Sequence, residues 1–376
     1  MNRRIALVAL AGVLAACSDG MTGPGSEPAF SAASSAGGAV FTMTNAPGGN
    51  EVIQFARAGD GSLSEVARYA TGGTGTGAGL GNQGGLILTR GGSLLLVVNA
   101  GSNDVSLFRR RGDGTWVLAD REPSGGTVPI SVTAHGRVAY VLNAGGDGGI
   151  SGFIVRENDL IPIAGSAQPL SQAAPDPAQI EFSPNGRHLV VTEKGTNQIV
   201  TYAVGGDGHA GPPVATPSAG MTPFGFSFRS NGLLVVSEAV GGAPGAGLVS
   251  TYRIQADGTV AAVDPAVPDH QSAPCWIVVT QDGRFTYTTN TASSSISGFR
   301  IRPNGTLELL NASGVTATSD PGPIDAALSG GSSAYLYVLN AGGGSITVYR
   351  VEHNGALTQI AGGVAGLAGA NGLAAM

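Results

Sequence analysis

Seven short apolar runs punctuate the chain, and each stops on a polar residue. They read VFTMTN, LLLVVN, VAYVLN, HLVVTE, LLVVSE, FTYTTN and YLYVLN, and they end at Asn45, Asn99, Asn143, Glu193, Glu238, Asn290 and Asn340. The spacing averages roughly 49 residues, in the range expected of blades, solenoids and other repeat architectures. Within one repeat the pattern predicts four strands. PCWIVVT (Pro274 to Thr280) is apolar at most positions, as for a strand covered on both faces. Asp282-Gly283 makes a tight hairpin, because Gly accepts positive φ. RFTYTTN is the second strand, SISGFRI (Ser295 to Ile301) the third, and TLELL (Thr306 to Leu310) follows the Asn304-Gly305 turn as the fourth.

A lone four-stranded sheet leaves both faces wet. Stacking such sheets around an axis covers every face and leaves only short edges. The predicted fold is therefore all-β, a seven-bladed β-propeller of four-stranded antiparallel blades. The first run, Ala39 to Asn45, matches the second strand of a blade, and the closing NGLAAM (Asn371 to Met376) matches an innermost strand. The ring is expected to close by the N-terminal strands pairing with the C-terminal one, giving a propeller over residues 39–376.

Tight turns follow the first strands (Asn185-Gly186, Asn231-Gly232, Asp282-Gly283) and the third strands (for example Asp60-Gly61, Asp207-Gly208, Asn304-Gly305). Strands alternate in direction, so these turns share one face. The longer loops, such as Thr71 to Gln83, Gln168 to Pro177, Ala239 to Gly247 and Pro265 to Pro274, share the other. Binding residues gather on loops over a rigid scaffold, which places the expected site on the long-loop face, at the channel mouth.

Composition narrows the partners. The chain carries a net charge of −6, with charged residues at 12% and Lys194 its single lysine. Phosphate binding needs clustered cations, so nucleic acid is excluded as a partner. Arg3 and Arg4 followed by a short apolar run and Leu14-Ala15-Ala16-Cys17 read as a signal peptide with a lipobox over residues 1–17. Either Cys17 is lipidated and anchors the protein in a bacterial envelope, or it is incidental to an ordinary cleaved signal. Residues 18–38, rich in Ser, Gly, Pro and Ala, read as a flexible tether. With Cys17 lipidated, Cys275 has no partner in the chain. Membrane contact is expected only through that lipid, and the propeller itself is expected to be a monomer.

The segments SPNGRHLVVTEKGTNQIVTY (Ser183 to Tyr202) and VTQDGRFTYTTN (Val279 to Asn290) carry a resemblance. From about Ala39 to the C-terminus the chain resembles the lactonase family of seven-bladed propellers. That family includes bacterial 6-phosphogluconolactonases and fungal carboxymuconate-lactonising enzymes. The resemblance implies the propeller and lactone chemistry. It departs at one place: phosphogluconolactonase-like members show an Arg-His pair where this chain reads Pro177-Ala178-Gln179.

Candidate chemistry follows from the loops. Glu193 and Glu238 replace the anchor Asn on neighbouring blades, either as paired carboxylates for acid–base work or for a cation, or as solvated acids that tolerate the turn. His270 is a candidate base or a surface-loop histidine. Lys194, Gln179, Phe224, Cys275, Trp276 and Asp325 are the candidate substrate-binding residues near the mouth, Cys275 and Trp276 equally readable as packing. No metal motif is present, and the cofactor is left unknown. Gly79 to Gly84 matches G-x-G-x-x-G, but a strand follows instead of a helix, so it reads as a mobile loop. With acids outnumbering cations, a small neutral molecule fits better than a phosphorylated one. Two functions stand: hydrolysis or isomerisation of a small neutral lactone at the channel mouth, or non-catalytic binding of a glycan, peptide or envelope protein on the long-loop face.

Overall fold

The computed structural model describes residues 37–330 and 335–376. The signal peptide, Cys17 and nearly all of the tether lie outside those residues. Among the described residues the strands form seven antiparallel sheets arranged as blades around an axis, with helical structure confined to the short 3-10 turns Arg90–Gly92 and Val240–Gly242. Taken in chain order, the innermost strands are Leu86–Thr89 of the second blade, Pro129–His135 of the third, Pro177–Phe182 of the fourth, Pro223–Phe228 of the fifth, Pro274–Val279 of the sixth and Pro323–Leu328 of the seventh. The innermost strand of the first blade is Asn371–Ala375, which pairs with Ala39–Met43 and closes the ring as the sequence predicts. The sixth blade has an addition that periodicity did not announce, the two-residue strand Ala317–Thr318 on its third strand.

The recurring YVLN spelling has a residue-by-residue explanation. In the third blade the Tyr140 hydroxyl donates to Gly208 O, in the tight turn of the next blade, at 2.8 Å. The Tyr287 hydroxyl reaches Gly355 O at 2.8 Å and that of Tyr337 reaches Gly61 O at 3.1 Å, repeating the contact between the sixth and seventh blades and across the closure. The alternating apolar residues then feed separate cores: Val141 packs with the second blade and Leu142 with the fourth. Gly is required in such turns, where φ reaches +88° at Gly208.

The anchor closes the pattern. In the third to seventh blades it lies opposite a proline that opens the innermost strand, as in Pro177 opposite Glu193 and Pro274 opposite Asn290. Proline has no N–H to give a ladder, so the first residue of a strand suits it. The anchor side chain bridges its own third strand. Asn290 Nδ2 donates to Ser297 Oγ at 2.8 Å, and Asn340 Nδ2 to Thr347 Oγ1 at 2.7 Å. It also meets a loop residue arriving from the preceding blade: Thr71 Oγ1 donates to Asn99 Oδ1 at 2.8 Å and Ser319 Oγ to Asn340 Oδ1 at 2.6 Å. In the first blade the register differs from expectation. Thr44, not Asn45, pairs with Glu51, and Asn45 leaves the strand with φ of 49° to bond Ala78 O.

Candidate functional site

Glu193 and Glu238 do the anchor's work. The Glu193 carboxylate accepts from the Ser171 N–H at 2.9 Å, from the Ser171 hydroxyl and from Thr196 Oγ1 at 2.6 Å. That of Glu238 accepts from Ser218 Oγ, Ser250 Oγ and Tyr252 Oη, each at 2.7 Å. Both residues are 0% exposed. They are therefore not solvated acids, and neither carboxylate reaches a surface where a ligand would meet it. Each lies between its own blade and the serine of an incoming loop, where a carboxylate offers more acceptor sites than an amide. His270 is exposed in the loop between the fifth and sixth blades, at φ of 60°.

The remaining candidates do come together. Phe224 and Trp276 pack with ring centroids 4.9 Å apart, and Ala178, Ala239 and Cys275 complete their apolar cluster. Lys194 Nζ lies 4.8 Å above the Phe224 ring. Its donors are spoken for: Gly81 O at 2.7 Å, Pro177 O at 3.2 Å and Asp176 Oδ1 at 3.3 Å. Burial lowers the ammonium pKa, partly opposed by Asp176. Burial pushes the Cys275 thiol up to about 11, so it stays protonated near neutrality. Gln179 spends its amide on the backbone of Phe226, accepting at 2.7 Å and donating at 2.9 Å. Asp325 accepts from Ala326 N at 2.8 Å, and burial raises its carboxyl well above the usual range.

What gathers these residues is the segment read from sequence as a mobile loop. Gly81 to Gly85 is pinned across the hub. Gln83 N donates to Ala178 O at 3.1 Å, in the fourth blade. The Gln83 side chain donates to Ile277 O at 2.9 Å and accepts from Ile277 N at 3.1 Å, in the sixth. Gln83 O accepts from Ser131 Oγ at 2.6 Å, and Asn82 Nδ2 donates to Ile130 O, both in the third. Trp276 Nε1 donates to Asn82 O at 2.5 Å, and Asn371 Nδ2 to Asn82 Oδ1 at 3.0 Å. Gly225 lets the fifth blade approach equally closely, since a Cβ there would collide with Gln83 Oε1 and Cys275 O. The glycines serve a tight crossing over the axis, not a phosphate, and the segment acts as a stopper.

The stopper decides which end of the hub is open. Innermost strands begin at the long-loop face, and there Pro129, Pro177, Pro223, Pro274, Pro323 and Asn371 are all buried. At their other ends Leu88, Ala134, Glu181, Phe228, Val279, Leu328 and Ala375 are partly exposed. A channel of about 390 Å³ runs from Gln83 toward the tight-turn face, lined by all seven innermost strands. The mouth expected on the long-loop face is closed by the stopper, and the accessible end is the opposite one.

Glu181 lies on this channel wall, and sequence reasoning passed over it. Its carboxylate accepts from Gln179 Nε2 at 3.1 Å, and burial pushes it up to about 8. Most of the other lining side chains are aliphatic, but polar atoms make up the larger part of the wall's exposed surface; Thr133, Ser227 and the buried Gln83, Gln179 and Asp325 are its other polar side chains, and no Lys, Arg or His stands among the lining residues. In PAQIEF an acid at that position reads as one more polar residue, so only the closed ring marks it out.

Comparisons with known proteins agree with this fold. The profile of the family described as lactonase, 7-bladed beta-propeller, matches residues 159–243 and 243–365, more than half of the chain. A proposed 6-phosphogluconolactonase of Bacteroides uniformis superposes with a TM-score of 0.71 at 18% identity, covering 91% of this chain and 100% of that one. One from Bacteroides fragilis gives 0.69 at 19%, covering 91% and 98%. The periplasmic gluconolactonase of Pseudomonas aeruginosa gives 0.69 at 15%, covering 90% and 99%. No curated protein sequence matches.

Proposed function

Given that the chain belongs to the lactonase family of seven-bladed β-propellers, we propose that it opens small uncharged lactones, binding them in the axial channel. The observation that carries this reading is the channel's lining. A cavity of about 390 Å³ lies in the size range of small-molecule sites. Its wall presents polar as well as apolar surface and no Lys, Arg or His to receive a phosphate. The same lining argues against a 6-phosphorylated sugar lactone as substrate. An exported, lipid-anchored placement belongs to the same proposal. It is supported by the N-terminal spelling and by a fold neighbour that is a periplasmic gluconolactonase, and no helix among the described residues is long and apolar enough to cross a membrane.

The test is turnover of a lactone panel by the purified full chain, followed with a pH indicator, with glucono-δ-lactone set against its 6-phosphate. The expected result is a kcat/KM at least about tenfold higher for the neutral lactone, the scale of one lost charged contact. Preference for the phosphate would overturn the choice of substrate class. No turnover on any lactone, with saturable binding of a glycan or peptide instead, would favour a non-catalytic propeller.

A further inference from the structure

We propose that Glu181 is the acid–base group of a site that substrate reaches from the tight-turn face; this rests on the lactone-opening reading above. Register puts Ile87, Thr133, Glu181, Ser227, Val278 and Ala327 at one level of the hub, each opposite the residue three before its blade's anchor. At this level the fold asks for little. Thr133 meets the next blade with a hydroxyl that accepts the Phe182 N–H at 3.1 Å, and three other blades use plain apolar side chains. Nothing in the packing calls for a carboxyl there, and burying one is costly. Yet the fourth blade carries it, half-buried on the wall of the open channel, with Gln179 orienting one oxygen.

The chemistry balances with this one group and water. The Glu181 carboxylate takes a proton from a water molecule as its oxygen adds to the lactone carbonyl carbon. The ring C–O bond then breaks, and the proton passes from Glu181 to the departing alkoxide oxygen. The product is the hydroxy acid, and the carboxylate is restored. Ser227, at the same level on the adjacent blade, supplies a hydroxyl on the same wall. Asp325 is the other carboxyl along the channel, two residues nearer the stopper along its strand. The flanking elements add His188 on the adjacent strand, His135 at the end of the third blade's innermost strand, and Arg229 just beyond that of the fifth. Burial beside Arg187 lowers the His188 pKa, which keeps it neutral above pH 7. A carboxyl held protonated to about 8 becomes a base only in alkaline solution.

The experiment is the pH–rate profile of the full chain on glucono-δ-lactone, for wild type, Glu181→Gln and Glu181→Asp, with thermal melts on each. Wild-type kcat/KM should rise with an apparent midpoint near 8. Glu181→Gln should lose at least about 100-fold in kcat at pH 9, with KM changed less than about threefold, and lose the pH dependence. Glu181→Asp keeps the carboxyl and should retain part of the rate and the profile, which serves as the test should the amide variant not fold. A Gln variant that folds and keeps kcat within about threefold would overturn the role of Glu181 and leave lactone opening standing. A wild-type chain that opens no lactone would overturn both.

Discussion

At the scale of single residues, acids in this propeller divide by what surrounds them. Glu193 and Glu238 are met by hydroxyl and amide donors on every side, whereas Glu181 has one amide and a channel. Stability should therefore respond differently. Glu193→Gln or Glu238→Gln replaces an acceptor-only group by an amide whose NH₂ faces other donors. We expect each to lower stability by roughly 1–3 kcal/mol, read from denaturant midpoints at pH 7. Glu181→Gln should act in the opposite sense at high pH. The folded state holds that proton to about 8, while the unfolded chain releases it near the ordinary value of 4.5. Stability from the protonated form is full below the unfolded value and is lost as pH rises toward 8, by up to about 1.4 kcal/mol per pH unit. The amide variant lacks that slope, so its melting temperature relative to wild type should be higher at pH 9 than at pH 5. An equal difference at both pH values would show that the carboxyl does not titrate as described.

At the scale of elements, what could be read from the chain tracks how local the signal is. Blades were legible because Asp-Gly and Asn-Gly turns and β-branched runs lie within a few residues of the contacts they specify. The anchor substitution at Glu193 and Glu238 was visible, but its meaning was not, because the serines that explain it stand 22 and 20 residues upstream in loops of no distinct pattern. The stopper was illegible for the same reason carried further. GLGNQGG has no periodicity, and its partners lie 48 to 289 residues away on separate blades. Its bonding makes a prediction. Gln83→Ala removes both bonds to Ile277 and opens space beside Gly225, so the melt should fall. The amide protons of Ile277 and Phe226 offer a comparison: Ile277 should exchange faster, while Phe226, held by Gln179, should not. At the ring's seam, deleting residues 372–376 strips the innermost strand from Ala39–Met43 and should lower the melting temperature sharply.

At the scale of the whole molecule, closing the ring creates a property that no repeat holds alone: a hub with one stoppered end. The long-loop face carries most of the sequence variation between blades, and from the chain it is the natural place for a site. The fold redirects attention because one of those loops turns inward and spends its backbone and side chains on four other blades. What is left open is a cation-free channel whose single half-buried acid belongs to the fourth blade. The most direct test is a crystal structure of the full chain with δ-gluconolactam, an unreactive mimic of a neutral lactone. The lactam is expected in the axial channel, between Gln83 and the tight-turn face, with its ring against Glu181. A lactam bound on the long-loop face, outside the Asn82–Gln83 crossing, would contradict this placement.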